Sequence, residues 1–279
     1  MPPTPQNFYF VALRIPLLYH TSPRLSRPPG CYWCAPLFFY NIFIKCNSSL
    51  EILHFRWYDR SNSEIGVFAL ICPVVAENGP AVLLPLLKVI LVAYLTYIIH
   101  MALVYSTSVR LMAGMSPIQF FKGMSQAMLF AFSSASSVGT LPFNMESTQK
   151  MGVRKEIASF VLPLGATINM DGTAIYQGVC AIFIAQIFGI DLTLPQQITI
   201  ILTATLASIG TAGVPGSGVI MLAMVLESVG LPLEGIALVA GIDRILDMGR
   251  TVVNITGDAS CAICVDALDL KNERKKLKN

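Results

Sequence analysis

Residues 243–258 read Asp-Arg-Ile-Leu-Asp-Met-Gly-Arg-Thr-Val-Val-Asn-Ile-Thr-Gly-Asp, within a largely apolar segment expected as one helix over 236–265. At about 100° per residue, Asp243, Asp247, Arg250, Thr251, Asn254 and Asp258 fall within an arc of about 100°. Ile245, Met248, Val252 and Ile263 occupy the opposite face. With Arg244 at the stripe's edge, the segment carries five ionisable residues. A charge at the bilayer centre costs about 2.5–3.5 kcal/mol even on insertion scales. The stripe is therefore tolerable only if it faces protein or a hydrated cavity. A buried ion pair, for example Arg250 with Asp247, is the plainer alternative, but it gives no reason for Thr251 and Asn254 to share that face.

The rest of the chain supports a bilayer setting. Of 279 residues, 54% are hydrophobic and 13% charged, against about 25% charged in soluble domains. Such a chain has too little polar surface for a water-soluble globule. The net charge of +3 is small, and no basic patch interleaved with aromatics points to nucleic acid. The basic segment 271–279 ends the chain and is expected as a cytoplasmic tail by the positive-inside rule. Cys31/Cys34 and Cys261/Cys264 have C-x-x-C spacing, but the second pair lies in an apolar run where cysteine acts as a small hydrophobe. No metal centre is expected there. His20, His54 and His100 are expected outside the polar core.

The organisation changes along the chain. Residues 1–63 mix prolines with aromatic runs at 8–19 and 31–45, each shorter than the roughly 18–20 residues a spanning helix needs. They receive no fold assignment. Residues 65–78 are apolar, and 81–105 form an apolar run long enough to span. Then come two arms, 119–135 and 143–155, around a Ser/Gly/Pro cluster at 133–142. The plan recurs at 196–209 and 219–229 around Gly-Thr-Ala-Gly-Val-Pro-Gly-Ser-Gly at 210–218. Such short arms read as re-entrant hairpins, because irregular backbone at membrane depth is tolerated only inside protein or beside a wet cavity. Each hairpin is followed by a polar helix: 157–188, broken at Asn-Met-Asp-Gly-Thr 169–173, and 236–265. This is an all-α, multi-spanning inverted-repeat transporter core, and paired interrupted segments mark its binding site.

Chemistry suggests the roles. Arg250 is a permanently charged planar fork suited to a carboxylate. Asp247 can accept from an ammonium, and Asn254 can donate to a second carboxylate. Asp258, one turn on, is a hard oxygen ligand for a small cation, and the break at 169–172 frees carbonyls of the kind that coordinate sodium. Glycines at the hairpin tips let backbone N–H groups approach a ligand, and adjoining helix N-termini favour anions. Together these suit an acidic amino acid. Gly216-Ser217-Gly218 lacks the context of a nucleophile elbow, and Arg250 and Asn254 argue against a proton-sharing aspartyl protease dyad. No enzyme activity is expected.

The stretches Ser-Ser-Val-Gly-Thr-Leu-Pro at 136–142, Asn-Met-Asp-Gly-Thr at 169–173, 210–218 and 247–258 resemble the dicarboxylate/amino acid:cation symporter family, the glutamate transporter homologues, from about Ile65 to about Asp269. The resemblance implies a homotrimer in the cell membrane whose transport domain, here 113–270, moves elevator-fashion against a scaffold that includes helices within 64–112. It implies substrate contacts at Ala135, Ser136, Ser137, Thr173, Gly213, Val214, Gly218, Asp247, Arg250, Thr251 and Asn254. One sodium would take carbonyls of Gly165, Asn169 and Asn254 with Asp258; another Thr167, Ser208, Ile209 and Thr211; a third Asn169 and Asp171 with groups from an earlier helix. Sodium is cargo here, and no other cofactor is implied. Some members carry an arginine near the position of Ala135, a charge Arg244 is expected to supply. Val138 stands where family tips often have serine. The family's first four helices have no counterpart in 1–63. The expected activity is sodium-coupled symport of glutamate or aspartate. The alternatives are a proton-coupled or C4-dicarboxylate symporter, or a truncated fragment that transports nothing.

Overall fold

The computed structural model describes residues 83–276, which belong to one compact unit within Leu53–Asn279. The expectations for 1–63, the run 65–78, Cys31/Cys34, His20 and His54 lie outside the described residues. Within them every regular element is a helix. The order is α1 (Leu83–Met112), α2 (Pro117–Ser134), α3 (Ser137–Lys150), α4 (Lys155–Ile168), α5 (Asp171–Ile187), α6 (Leu194–Ile209), α7 (Ser217–Ser228), α8 (Gly235–Ala240) and α9 (Asp243–Lys276). By length and composition, α1 and nearly all of α9 can cross a membrane.

The molecule is organised around α9. It packs against α1, α2, α3, α4, α5 and α8, and every residue from Gly249 to Ser260 is buried. The apolar face opposite the polar stripe is therefore covered as well: Val252 and Ile263 join the core. A helix enclosed on all sides at this level can carry charges because none of them meets lipid. The outer helices show the reverse pattern. On α1, Leu84, Leu87, Leu91, Leu95 and Ile98 recur at helical spacing and are each half exposed or more. Leu194, Ile201 and Leu206 on α6 are likewise more than half exposed. An apolar exterior around a polar interior is what a hydrocarbon solvent selects.

Two helical hairpins, α2–α3 and α6–α7, are present, each with its arms packed together. The first break is much narrower than the 133–142 cluster suggests. Only Ala135 and Ser136 separate the arms. Ala135 takes the left-handed conformation (φ 51°) that closes α2, and the Ser136 side chain accepts from Gly139 N at 3.0 Å, capping α3. The serines and glycine that look like a breaker start a helix instead, and Pro142 is carried inside it. The second break, 210–216, agrees with the expected one at its start, and Gly216 (φ 77°) precedes α7.

The α4–α5 break is confined to Asn169 and Met170. Two further boundaries differ from expectation. The segment 236–265 is not one helix: α8 ends at Ala240 and α9 begins at Asp243. The expected tail 271–279 is helical through Lys276.

Candidate functional site

The polar stripe of α9 is held in two hydrogen-bonded groups, one around Asp247 and Arg250 and one around Asn254 and Asp258. Arg250, 3% exposed, donates to Asp247 Oδ1 from Nε at 3.1 Å and from Nη2 at 2.5 Å. Thr251 Oγ1 reaches the same oxygen at 3.4 Å. The plainer alternative of a buried Arg250–Asp247 pair is thus realised, but it does not exhaust the site. Arg250 Nη1 is buried with no partner, although a buried donor is normally satisfied. The guanidinium also lies 5.2 Å from the centre of the Tyr176 ring. It fits there only because residue 218 is glycine: a Cβ would stand 1.5 Å from Nη1.

Asp247 also binds the second hairpin. Its Oδ2 accepts from Gly216 N at 2.9 Å, at the start of α7. The carboxylate thus occupies an anion position at a helix N-terminus. One turn on, Asn254 Oδ1 accepts from Gly172 N at 2.8 Å, and its Nδ2 faces Thr173 Oγ1 at 3.3 Å and Met170 Sδ at 3.1 Å. Gly172 permits this approach: a Cβ would meet Arg250 O at 2.4 Å.

The three chain breaks converge beside this stripe. Gly213 O accepts from Val138 N at 3.2 Å and from Ser136 Oγ at 3.0 Å, tying one hairpin tip to the other. A Cβ on Gly213 would stand 3.0 Å from Ala166 O, near the end of α4. Arg244 Nη2 reaches Ser133 O at 3.4 Å, bringing a positive charge to the first tip.

Between the breaks lies a cavity lined by Ala135, Ser137, Met170, Thr173, Ala212, Gly213, Val214, Ser217, Asp247, Arg250, Thr251 and Asn254. Its free space is about 10 Å³, room for about one water. Of the residues expected to bind substrate, all but Ser136 and Gly218 line it. Ser136 instead caps α3 and holds Gly213, and Gly218 makes space for Arg250. Met170, Ala212 and Ser217 line it too, although the sequence reading had not singled them out. Each lies inside a quoted break, which was the available signal.

Toward the other end of the stripe the expected cation groups divide into sets. Asp258, 1% exposed, accepts from Asn169 Nδ2 at 2.9 Å, and that nitrogen is 3.4 Å from Asn254 O. A Cβ on Gly165 would stand 2.5 Å from Asp258 Oδ1. Gly165, Asn169, Asn254 and Asp258 therefore come together. Among the described residues no basic side chain forms an ion pair with Asp258, so a bound cation would offset its buried charge. Ser208 and Thr211 are buried, but Thr211 N donates to Ser208 O at 3.0 Å, so that carbonyl is already engaged. Thr167 and Ile209 are exposed.

Asp171 joins α1. Tyr105 Oη donates to its Oδ2 at 2.9 Å and lies 3.2 Å from Val253 O. His100 Nε2 is 3.4 Å from the same Asp171 oxygen. The expectation that all histidines lie outside the polar core is therefore wrong for His100. A π-helical turn at Met101–Tyr105 directs both side chains to Asp171, and nothing in the apolar run announces that turn.

The sequence profile of the sodium:dicarboxylate symporter family matches residues 63–268. The chain is 42% identical over 198 residues to a proton/sodium-glutamate symport protein of Bacillus subtilis, covering 71% of this chain and 46% of that protein. It is 42% identical over 212 residues to a proton/glutamate-aspartate symporter of Escherichia coli, covering 76% and 48%. It is 40% identical over 224 residues to human excitatory amino acid transporter 2, covering 79% and 38%. The chain spans about half the length of the bacterial relatives and less of the human one.

Proposed function

The chain belongs to the sodium:dicarboxylate symporter family, and from that premise we propose that it binds an acidic amino acid between its two hairpin tips for sodium-coupled symport. The observation that carries this reading is Arg250 Nη1, a charged donor buried without a partner in a cavity it shares with Asp247 and Asn254. A substrate side-chain carboxylate would take that donor, its ammonium would face Asp247, and its α-carboxylate would face Asn254 Nδ2 and the Ser137 end of α3. Asp247 favours an amino acid over a plain dicarboxylate, which brings no cation to replace the arginine.

A cavity that holds one water admits no amino acid, so binding requires an opening. The second hairpin supplies it. Its arms rest on α5, and Gly216 at its tip is held to α9 by Asp247. An arriving ammonium competes for Asp247, frees Gly216 N–H and lets the tip move. The hairpin is the gate, opening toward the outside. Coupling follows from Asn254, whose side chain faces the substrate cavity while its carbonyl lies near Asn169 and Asp258. Sodium at Asp258 would fix Asn254 for the substrate.

The arms α2, α3, α6 and α7 hold 18, 14, 16 and 12 residues, about 27, 21, 24 and 18 Å. All are shorter than the roughly 30 Å hydrocarbon core, which supports re-entrant hairpins in a multi-pass protein of the cell membrane. Arg154, Lys155, Lys271, Arg274 and Lys275 lie at the base of the first hairpin, whereas no Lys or Arg stands at 188–193 or 229–235, the base of the second. This asymmetry supports a cytoplasmic C-terminus. Elevator movement of 113–270 in a homotrimer completes the proposal.

The test is equilibrium binding of aspartate, glutamate, succinate and serine to the purified full chain in sodium and in choline. Sodium-dependent binding of aspartate or glutamate, lost in Arg250→Cys, is the expected result. Unchanged acidic-substrate binding in that variant would defeat the carboxylate assignment. Sodium-independent, acid-driven uptake would move the reading to a proton-coupled member, and a folded chain that binds none of the four would be the non-transporting fragment.

A further inference from the structure

The last three turns of α9 carry two opposed charge faces. At about 100° per residue, Asp266, Asp269 and Glu273 fall within about 60° of one another. Arg154, from the link between α3 and α4, meets all three: Nε to Asp266 at 2.7 Å, Nη2 to Asp269 at 2.7 Å and Nη1 to Glu273 at 3.3 Å. Those carboxylates hold the guanidinium pKa above its already high value, the Asp266 hydrogen bond most of all. The acids of this segment are thereby matched and turned toward hairpin 1.

The bases face elsewhere. Lys271, Arg274 and Lys275 centre about 160° from the acidic face, and among the described residues none of the three forms an ion pair. They line a groove of about 500 Å³ with Ala267 and Leu270, and its far wall is Met112 and Ala113 at the end of α1. Its rim is cationic and its floor apolar. The helices place it at a membrane surface: α1 and α9 run parallel, and at 30 and 34 residues are about 45 and 51 Å long, so their ends emerge from the hydrocarbon into the headgroup layer. Segregated charge, an apolar floor and this depth select an amphipathic anion.

We propose that the groove between the C-terminal ends of α1 and α9 is a binding site for an anionic glycerophospholipid, its phosphate held by Lys271, Arg274 and Lys275 and its glycerol and upper acyl carbons resting on Met112, Ala113 and Leu270. Arg154 serves the site indirectly, by keeping the acids of α9 off the basic face. The bound lipid bridges α1 to α9, which also meet where Tyr94 Oη donates to Ile245 O at 2.7 Å and Tyr105 Oη lies 3.2 Å from Val253 O.

The test is native mass spectrometry of the full-length chain in a neutral detergent, with dioleoyl phosphatidylglycerol or phosphatidylcholine added at equal concentration. The variant Lys271→Gln/Arg274→Gln/Lys275→Gln removes only exposed side chains, and its thermal midpoint is measured first to show that it folds. Lys122→Gln/Lys150→Gln/Lys155→Gln removes the same charge elsewhere on the chain. The expected result is retention of phosphatidylglycerol over phosphatidylcholine by the parent and by the second variant, with occupancy about tenfold lower or more in the first. Equal retention of the two lipids overturns the site. So does an equal loss in both variants, which would mean only a general positive field. Displacement by inorganic phosphate at millimolar concentration would show a soluble-anion site. Dissociation of an oligomer with unchanged lipid binding would show that a second copy of the chain fills the groove.

Discussion

Gly218 offers a direct test of the substrate geometry, because it removes nothing and adds one carbon. In Gly218→Ala the new Cβ would sit 1.5 Å from Arg250 Nη1, 2.7 Å from Cζ and 3.2 Å from Tyr176 Cε1. Nonbonded atoms settle at about 3.5 Å, so the guanidinium must retreat by about 2 Å. It has little room to do so, being held by two hydrogen bonds to Asp247 and lying against Tyr176. A shift of that size carries Nη1 out of reach of a substrate carboxylate. A hydrogen bond to a charged group contributes about 1.5–3 kcal/mol, so the dissociation constant for aspartate or glutamate should rise about 10–150-fold. Serine, lacking the side-chain carboxylate, should be affected far less. The control is Gly178→Ala, whose Cβ meets nothing within 4 Å and which should stabilise α5 by about 0.4–1 kcal/mol. The assay is isothermal titration of the purified chain with aspartate and with serine in sodium. Parental aspartate affinity in Gly218→Ala, or an equal loss in Gly178→Ala, would refute the placement of Arg250 Nη1.

Three further perturbations separate the parts of the site. Asp258→Asn removes the charge a cation would offset while leaving the Asn169 contact feasible, so the sodium concentration for half-maximal substrate binding should rise about tenfold or more; an unshifted sodium response removes Asp258 from the cation site. Ser136→Ala deletes both the α3 cap and the tie to Gly213 O; caps contribute about 1 kcal/mol, so the second tip should open more readily, read as faster modification of a cysteine introduced at Val214. Arg154→Gln breaks three ion pairs at a partly exposed site, so the thermal midpoint should fall modestly, less at high salt than at low; an unchanged midpoint at both salts would mean that the clamp does not hold α9 to hairpin 1.

What the sequence discloses depends on whether a feature is periodic. Asp247, Arg250 and Asn254 were legible because a regular helix turns residues three and four apart to one face, and α9 is regular there. The hairpin tips were legible because glycine and serine cluster where chain reverses. The width of the first break was not, because the same residues that interrupt one helix can cap the next, and only the Ser136–Gly139 contact decides between them. His100 was misplaced for a related reason. It and Tyr105 are five residues apart, which an α-helix separates by about 140°, yet both reach one oxygen of Asp171. The π-helical turn between them closes that angle, and it leaves no mark in an apolar run. The charge clamp at the end of α9 was hidden by composition, since mixed acids and bases after an apolar segment look like solvated tail. Arg154, more than a hundred residues earlier in the chain, sorts those charges into two faces. The same sorting occurs at Arg250 in the interior: one carboxylate is held, one donor is left over, and the donor without a partner is the group that points to a ligand.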